Sequence, residues 1–157
     1  MNNKSKIYLG VIAAVLACFV VLFVQQKLFT RPPSESYHSA QIGQAAINVE
    51  IAQNSTEQAK GLSGRLDLAA NQGMLFTYPD YQVRYFWMLG MNFPIDIIWL
   101  KDNQIVGFAQ AVPAPVLAGD LPQVDSKVPV NAVLETKAGF VNQNQLQIGD
   151  QFRLLAD

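Results

Sequence analysis

The side chains of this sequence that could carry out acid–base chemistry are carboxylates and one arginine, because the common nucleophiles are nearly missing. The single cysteine is Cys18, in an apolar run near the N-terminus, and the single histidine is His38, in a polar segment after it. The rest of the chain therefore lacks the residues for a Ser-His-Asp triad, a cysteine nucleophile or a zinc site. We expect no metal and no cofactor, since no phosphate loop, dinucleotide fingerprint or calcium loop is present.

Asp96 is the first candidate, because it lies between Ile95 and Ile97 in a stretch whose composition requires burial. A carboxylate in such a place must be paired with a cation, hydrogen-bonded or protonated. We expect Arg65 or backbone amides to bind it, which is a structural role. The alternative is that Asp96 acts as an acid, a base or a ligand-binding group in a cleft.

Glu135 is the second candidate, in a predicted strand over residues 130–136 where it shares a face with Asn131 and Val133. The pattern favours a solvated position on a polar face. Two carboxylates across a cleft, with Arg65 as an electrostatic aid, would suit hydrolysis of an envelope glycan or peptide. Because the sequence does not give the separation of Asp96 and Glu135, a small hydrolase remains the alternative.

The stretch 73–100 must position these groups, since it holds both tryptophans and three of the four methionines. Large apolar side chains at this density indicate the centre of a core. Some of its aromatic residues are also suited to stack on a sugar or a proline-rich peptide. The candidate ligand-binding residues are Tyr81, Tyr85, Trp87 and Trp99.

The local pattern predicts mostly short strands with one or two short helices. We predict strands at 45–52, 74–78, 85–88, 95–100, 104–111, 130–136 and 151–155, and helical turns after Asn54 and near 142–146. Pro79-Asp80 predicts a turn, residues 101–103 predict a hairpin, and residues 112–129 predict a long irregular loop over the aromatic residues. The expected fold class is mostly β, a compact barrel-like antiparallel sheet.

Residues 7–24 form an apolar run of 18 residues that, as a helix, would span roughly 27 Å. We predict a transmembrane anchor at 1–30, a polar, proline-containing linker at 31–44 that includes a solvated His38, and a β domain at 45–157. A cleaved signal peptide and a lipoprotein are the alternatives, although neither cleavage pattern fits well. The charge bias across the run is slight, and we expect a single-pass protein whose domain lies outside the cytoplasm, in the periplasm.

The charge of the chain argues against one class of partner. Residues 31–157 contain eight basic and twelve acidic side chains, because Lys4, Lys6 and Lys27 precede them. A nucleic-acid-binding domain normally shows a basic patch, so we expect that this domain does not bind nucleic acid.

Six short motifs resemble a known family, domain of unknown function 192 (DUF192), whose small bacterial and archaeal members often carry an N-terminal anchor or signal. The motifs are VEIA (49–52), GLSGR (61–65), GMLF (73–76), FWMLGMNFPIDIIWL (86–100), VLETKAG (133–139) and IGD (148–150). The resemblance implies a single barrel-like, predominantly antiparallel β domain with small helices, and it implies no reaction.

These observations favour a membrane-tethered, non-enzymatic β module that binds a glycan, a peptide or an envelope protein. The expected binding surface is the aromatic cluster with the 112–129 loop above it.

Overall fold

Short strands are the main regular elements of the computed structural model, which describes residues 37–116 and 122–156. The strands are β1 (His38–Ile42), β2 (Ala45–Ala52), β3 (Gln72–Gln82), β4 (Tyr85–Trp87), β5 (Ile95–Lys101), β6 (Gln104–Val112), β7 (Gln123–Asp125), β8 (Val130–Lys137) and β9 (Phe152–Leu154). The two short helices within the described ranges are α1 (Ser55–Lys60) and α2 (Phe140–Gln143). The predicted mostly β class with two short helices is confirmed.

Seven strands form one curled sheet in the order β6-β5-β8-β3-β2-β1-β9. Its pairs are antiparallel except β2–β3, which is parallel, so the expected antiparallel sheet has one exception. The two outer strands approach each other at one end, where Gln104 forms an isolated bridge with Gln151. The sheet is therefore a half-barrel that is bridged at one end. The strands β4 and β7 pair separately as a two-stranded sheet.

Both faces of the curled sheet are covered by apolar side chains. One face packs against α2 and includes Leu75, Ile98 and Leu134. The other face packs beneath the segment 61–68 and β4, and includes Phe76, Trp99 and Val133. Because β8 lies between β5 and β3 in the middle of this sheet, both of its faces are buried, and this decides the environment of Glu135.

Turn and cap residues behave as their types predict. The side chain of Asn54 accepts a hydrogen bond of 3.0 Å from the Glu57 amide and so caps α1. The β5–β6 hairpin turns through Asp102 and Asn103, whose φ angles of 51° and 63° are those of the tight turn that suits the twist of two strands. The predicted helix after Asn54 and the predicted hairpin are both confirmed.

Three local predictions are wrong, each because a distant strand supplies partners that the local sequence does not reveal. Residues 38–42 of the predicted 31–44 linker form β1, which pairs with both β2 and β9, and His38 is half-buried there. β3 continues through Pro79 to Gln82, with an irregularity in its pairing to β8, where a turn was predicted. β7 interrupts the predicted 112–129 loop because it pairs with β4.

The predicted membrane anchor at 1–30 lies outside the described residues. Within 37–116 and 122–156, no helix is long and apolar enough to cross a membrane. The anchor therefore stays a prediction from the sequence.

Candidate functional site

A pocket of about 270 Å³ opens between α1, the segment that follows it, and β4. Its polar lining comes from side chains on four separate parts of the chain: Gln58, Lys60, Ser63, Gln123 and Glu135. Its apolar lining comes chiefly from Leu62, Phe76, Tyr78, Phe86 and Met91. A volume near the lower end of the usual range for ligand sites, about 300–1,000 Å³, suits one small chemical group or ring.

Glu135 lies at the base of this pocket and is only 5% exposed. In the sheet it pairs with Met74 on one side and Ile97 on the other, so apolar side chains flank it on its own face. Its Oε2 atom is buried and has no hydrogen-bond partner among the described residues. Burial raises the pKa of Glu135 to about 8, and the nearby positive charge of Arg65 opposes that rise. Glu135 is therefore mostly protonated and neutral at pH 7.

The expectation that Glu135 is solvated on a polar face is wrong. The alternation of residue types along 130–136 is weak, since Val133 shares the face of Glu135 and Asn131. Val133, an apolar residue on the same face, is the signal in the sequence that Glu135 is buried. The position of β8 in the middle of the sheet, which buries both faces, depends on long-range pairing.

Arg65 forms an ion pair with Glu50, not with Asp96. The two guanidinium nitrogens lie 2.6 and 2.5 Å from the two carboxylate oxygens of Glu50, which is a bidentate arrangement. Glu50 is 7% exposed and pairs in the sheet with Met74, which pairs in turn with Glu135. Glu50 on β2 and Glu135 on β8 thus lie in one row across the sheet, with β3 between them and a separation of roughly 10 Å. Arg65 neutralises Glu50, the carboxylate to which it is bound.

The GLSGR segment, 61–65, forms one wall of the pocket and is fastened to the residues after β4. The hydroxyl of Ser63 donates a hydrogen bond of 2.5 Å to the Leu89 carbonyl, and the Gly64 amide donates one of 2.8 Å to the Gly90 carbonyl. The Asn92 side chain donates to the Arg65 carbonyl at 2.8 Å. Two of the motifs quoted from the sequence therefore meet in space at this wall.

Gly61 shapes the part of the wall that lies closest to Glu135. Its φ of 49° lies in the left-handed region, which glycine adopts without strain. A Cβ atom at this position would lie 3.6 Å from Glu135 Oε2 and 3.5 Å from Phe76. A glycine thus both ends α1 and leaves the buried carboxyl room for a partner from the pocket.

Two of the four predicted ligand-binding residues line the pocket. Tyr85 and Trp87 line its mouth and are 70% and 53% exposed. Between them, Phe86 turns toward the core and packs edge-on against Phe76 and Trp99, with ring centroids 5.1 and 5.7 Å apart. Large exposed aromatic rings beside a polar pocket form a surface that is suited to stacking on a ligand.

The other two predicted ligand-binding residues lie elsewhere. Trp99 is buried in the core beneath Phe86. Tyr81 is exposed on β3, where its hydroxyl donates a hydrogen bond to Asp102 of the β5–β6 turn. The structure therefore separates the predicted aromatic platform into a pair at the pocket, one core residue and one distant surface residue.

Tyr78 extends the pocket on the side of β3. Burial raises the pKa of Tyr78, the Arg84 guanidinium opposes that rise, and Glu135 adds to it. Arg84 lies 3.8 Å from the centre of the Tyr78 ring and also binds Asp80, four residues before it. This cation thus stacks on the Tyr78 ring and is already paired with a carboxylate.

Asp96 is bound entirely by backbone amides, the second of the two structural partners expected from the sequence. Its Oδ1 accepts from Ala111 at 2.8 Å, and its Oδ2 accepts from Gly139 and Val141 at 3.0 Å each. Ala111 has a φ of 49° at a bulge in the β5–β6 pairing, and Val141 lies in the first turn of α2. Asp96 therefore holds a strained bulge, a turn and a helix start together.

The two carboxylates nominated for hydrolysis do not share a site. Asp96 pairs in the sheet with Thr136, and Glu135 pairs with Ile97, so consecutive positions on each strand point to opposite faces. Asp96 faces α2, whereas Glu135 faces the pocket. Glu135 thus lies in the pocket without Asp96 as a second carboxylate, and the positive charge of Arg65 opposes the rise in its pKa.

The family model that describes DUF192, an uncharacterized ACR family, matches residues 38–154. The chain belongs to the DUF192 family. The pocket lies within the part of this DUF192 domain that matches, and so do Glu50, Arg65, Asp96 and Glu135. No curated protein gives a match.

Two solved structures resemble this DUF192 domain. A protein from Sinorhizobium meliloti 1021, provisionally designated a transcription regulator, is 26% identical with a TM-score of 0.69, and the match covers 78% of this chain and 97% of that one. A protein of unknown function from Novosphingobium aromaticivorans DSM 12444 is 27% identical with a TM-score of 0.67, covering 74% and 84%. They support the curled β fold of this DUF192 domain.

Proposed function

We propose that this DUF192 protein is a membrane-tethered, non-enzymatic binding module that acts outside the cytoplasm. Residues 1–30 are the anchor, and the β domain presents the pocket to a ligand in the periplasm. The apolar run at 7–24 and the polar segment after it support the tether. The hydrolase alternative loses its support, because Asp96 and Glu135 face opposite sides of the sheet.

One observation carries the binding role: a buried carboxyl oxygen that has no hydrogen-bond partner within residues 37–116 and 122–156 lies at the base of a pocket with an exposed aromatic rim. A buried polar atom that lacks a hydrogen bond costs about 1–3 kcal/mol, so it is retained only where something offsets that cost. A ligand with a hydrogen-bonding group would supply the missing bond, and Tyr85 and Trp87 would contact the ligand's outer part.

The designation of the S. meliloti relative is not a basis for a role in transcription here. Residues 31–157 carry eight basic and twelve acidic side chains, which does not suit a duplex of high negative charge.

The binding role is tested by titrating peptidoglycan fragments and short peptides into the full chain in nonionic detergent micelles, with ligand-observed NMR as the readout. We expect saturable binding that Trp87→Ala weakens about tenfold, which corresponds to the 1–2 kcal/mol commonly lost on removal of an aromatic contact. Tyr81→Ala is the matched control, since Tyr81 is equally exposed at 51% but lies outside the pocket lining. Equal effects of the two substitutions, or release of a cleaved product seen by mass spectrometry, would contradict the proposal.

The tether is tested separately by alkaline extraction of membranes and by protease access to sealed spheroplasts. We expect the full chain to stay with the membrane pellet and its β domain to be digested from outside. Release into the supernatant, or protection from the protease, would show that this part of the proposal is wrong.

A further inference from the structure

We infer that the pocket binds the acetamido group of an N-acetylated amino sugar, with Glu135 as its hydrogen-bonding partner and Trp87 and Tyr85 against the sugar ring. The inference rests on the proposed binding function and names the chemistry of its ligand. It stands on three features of the pocket: an Oε2 atom to which none of the described residues gives a hydrogen bond, the apolar walls around it and the exposed aromatic rim.

The base of the pocket selects an uncharged polar group. Glu135 is flanked by Met74 and Ile97 on its own face, with Leu62, Phe76 and Met91 among the walls. In this setting a carboxyl group is most stable when it is protonated, and it can then either donate or accept a hydrogen bond. An amide presents both a carbonyl oxygen and an N–H group, so it matches Oε2 in either role. The methyl group of an acetamide would lie against the apolar walls.

The charges around Glu135 are consistent with a neutral ligand. Arg65 faces it from the 61–65 segment but is paired with Glu50, and Lys60 on α1 lines the same pocket. Tyr78 faces it from β3, with Arg84 stacked on that ring. An ammonium group would meet Lys60 at the pocket and would require Glu135 to lose its proton. An acetamido group is uncharged, so it is not repelled by Lys60 and it can bind Glu135 in its protonated form.

The mouth of the pocket provides the surface for the ring. Trp87 and Tyr85 are exposed there. The Gln123 amide and the side-chain oxygen of Gln58 can bind hydroxyl groups, whereas the Gln58 nitrogen donates to the carbonyls of Ala52 and Thr77. Aromatic faces beside amide side chains suit a ligand that has an apolar C–H face and a polar edge, as a pyranose ring does.

The test compares three ligands that share one ring and differ at one substituent. N-acetylglucosamine carries the acetamido group, glucose a hydroxyl and glucosamine an ammonium group. Each is titrated at pH 6 into the full chain in nonionic detergent micelles, with the indole N–H of Trp87 followed by NMR. We expect N-acetylglucosamine to bind at least about tenfold more tightly than the other two, which is the discrimination expected when a buried polar group is left unpaired.

Outcomes of this comparison separate the inference from the proposed function. Equal binding of glucose, or tighter binding of glucosamine, would overturn the acetamido inference and leave a binding pocket in place. If no sugar binds while peptides bind in a Trp87-dependent way, the inference also fails and the binding function stands. If no ligand of either kind binds, both fail. Titration of N,N′-diacetylchitobiose then assigns the source, since tighter binding than the monosaccharide indicates a glycan chain and equal binding indicates a single sugar.

Two variants at Glu135 test the role of its proton. Glu135→Gln keeps a neutral group that donates and accepts, so we expect it to bind N-acetylglucosamine within a few-fold of the parent. Glu135→Met keeps the bulk and removes the hydrogen bond, so we expect binding to be lost while the fold is retained by circular dichroism. The same affinity in all three proteins would overturn the assignment of Glu135 as the contact.

The pH dependence gives a signature that a merely structural role would not. With a pKa of about 8, about nine-tenths of Glu135 is protonated at pH 7 and about one-tenth at pH 9. The affinity of the parent should therefore fall about tenfold between these two pH values. Glu135→Gln does not titrate and should bind equally at both. A parent affinity that is independent of pH, or that rises with pH, would refute binding through the protonated carboxyl.

Discussion

Replacement of Asp96 by alanine should destabilise the domain strongly, because it leaves three backbone amides without their acceptor. Val141 donates in a fully buried position, and Ala111 and Gly139 donate in partly buried ones. An unsatisfied amide costs about 1 kcal/mol when water has partial access and up to about 3 kcal/mol when it has none. The three together give a loss of about 3–5 kcal/mol in the free energy of unfolding.

The assay is urea denaturation of residues 31–157, a fragment that contains every described residue. A domain of this size has a urea dependence of about 1.5–2 kcal/mol per molar, so the midpoint should fall by roughly 2 M. Because the total stability of such domains is only about 5–15 kcal/mol, the variant would lose between about a fifth and all of it.

Asp150→Ala is the matched control for this prediction. Asp150 accepts a single backbone hydrogen bond of 2.8 Å, from the Gln147 amide in an exposed turn. Its loss should cost about 0.5–1.5 kcal/mol. A loss below about 1 kcal/mol for Asp96→Ala, or equal losses for the two variants, would refute the assignment of Asp96 as the residue that holds the bulge, the turn and the start of α2.

Three further predictions follow from the ion pair, the buried acid and the boundaries. Arg65→Met should lower the free energy of unfolding, measured by urea denaturation, by about 2–4 kcal/mol, since it leaves Glu50 buried and unpaired. It should also raise the pKa of Glu135 further, because it removes a nearby positive charge. A lowered pKa of Glu135 in this variant, seen by carbon NMR, would contradict the prediction. Glu135 has a pKa of about 8 in the folded protein against an ordinary value of 4.5, so between these pH values the folded state holds a proton that the unfolded state does not. The free energy of unfolding should therefore fall by about 1.4 kcal/mol per pH unit from about pH 5 to pH 8, relative to that of Glu135→Gln. Thermal unfolding of both proteins at several pH values tests this. Residues 31–157 expressed alone should be soluble and unfold cooperatively, because the strands that build the sheet begin at His38; an aggregated fragment would argue against this boundary.

Patterns within a few residues were enough to predict much of the fold. Ala45–Ala52, the α1 cap at Asn54 and the β5–β6 turn at Asp102-Asn103 depend on alternation, capping and turn chemistry, and each agrees with the structure. β1 pairs with the adjacent β2 as well as with the distant β9, and its short, mostly polar sequence gives little strand signal. The sequence does not reveal β7 and the second half of β3, because their partners lie far along the chain. Pro79 shows this most clearly, since a residue typical of turns lies within a strand.

The site was predicted in its parts and not in its arrangement. The Tyr85 and Trp87 pair was predicted from composition, but its separation from Trp99 follows from the pairing of β4 with β7. The sequence does not point to Glu50, because the alternation of β2 places it on the face opposite Ile47, Val49 and Ile51. An arginine in the GLSGR motif was the signal that a buried carboxylate needed a partner. The identity of the carboxylate that pairs with Arg65 depends on the order of the strands in the sheet, which local sequence patterns do not specify.

The pairing of β1 with β9 has a consequence for how the chain folds during synthesis. Ala40 lies beside Leu154, so nearly the first and nearly the last described residues must meet before the sheet is complete. Contacts so distant along the chain slow folding, and the outer edge of β1 has no strand beside it until β9 leaves the ribosome. A chain truncated before Phe152 would expose that edge, with the apolar Ala40 and Ile42 behind it, to other chains. Incomplete products of this protein should therefore aggregate readily, whereas a tag placed after the last residue leaves β9 free to pair.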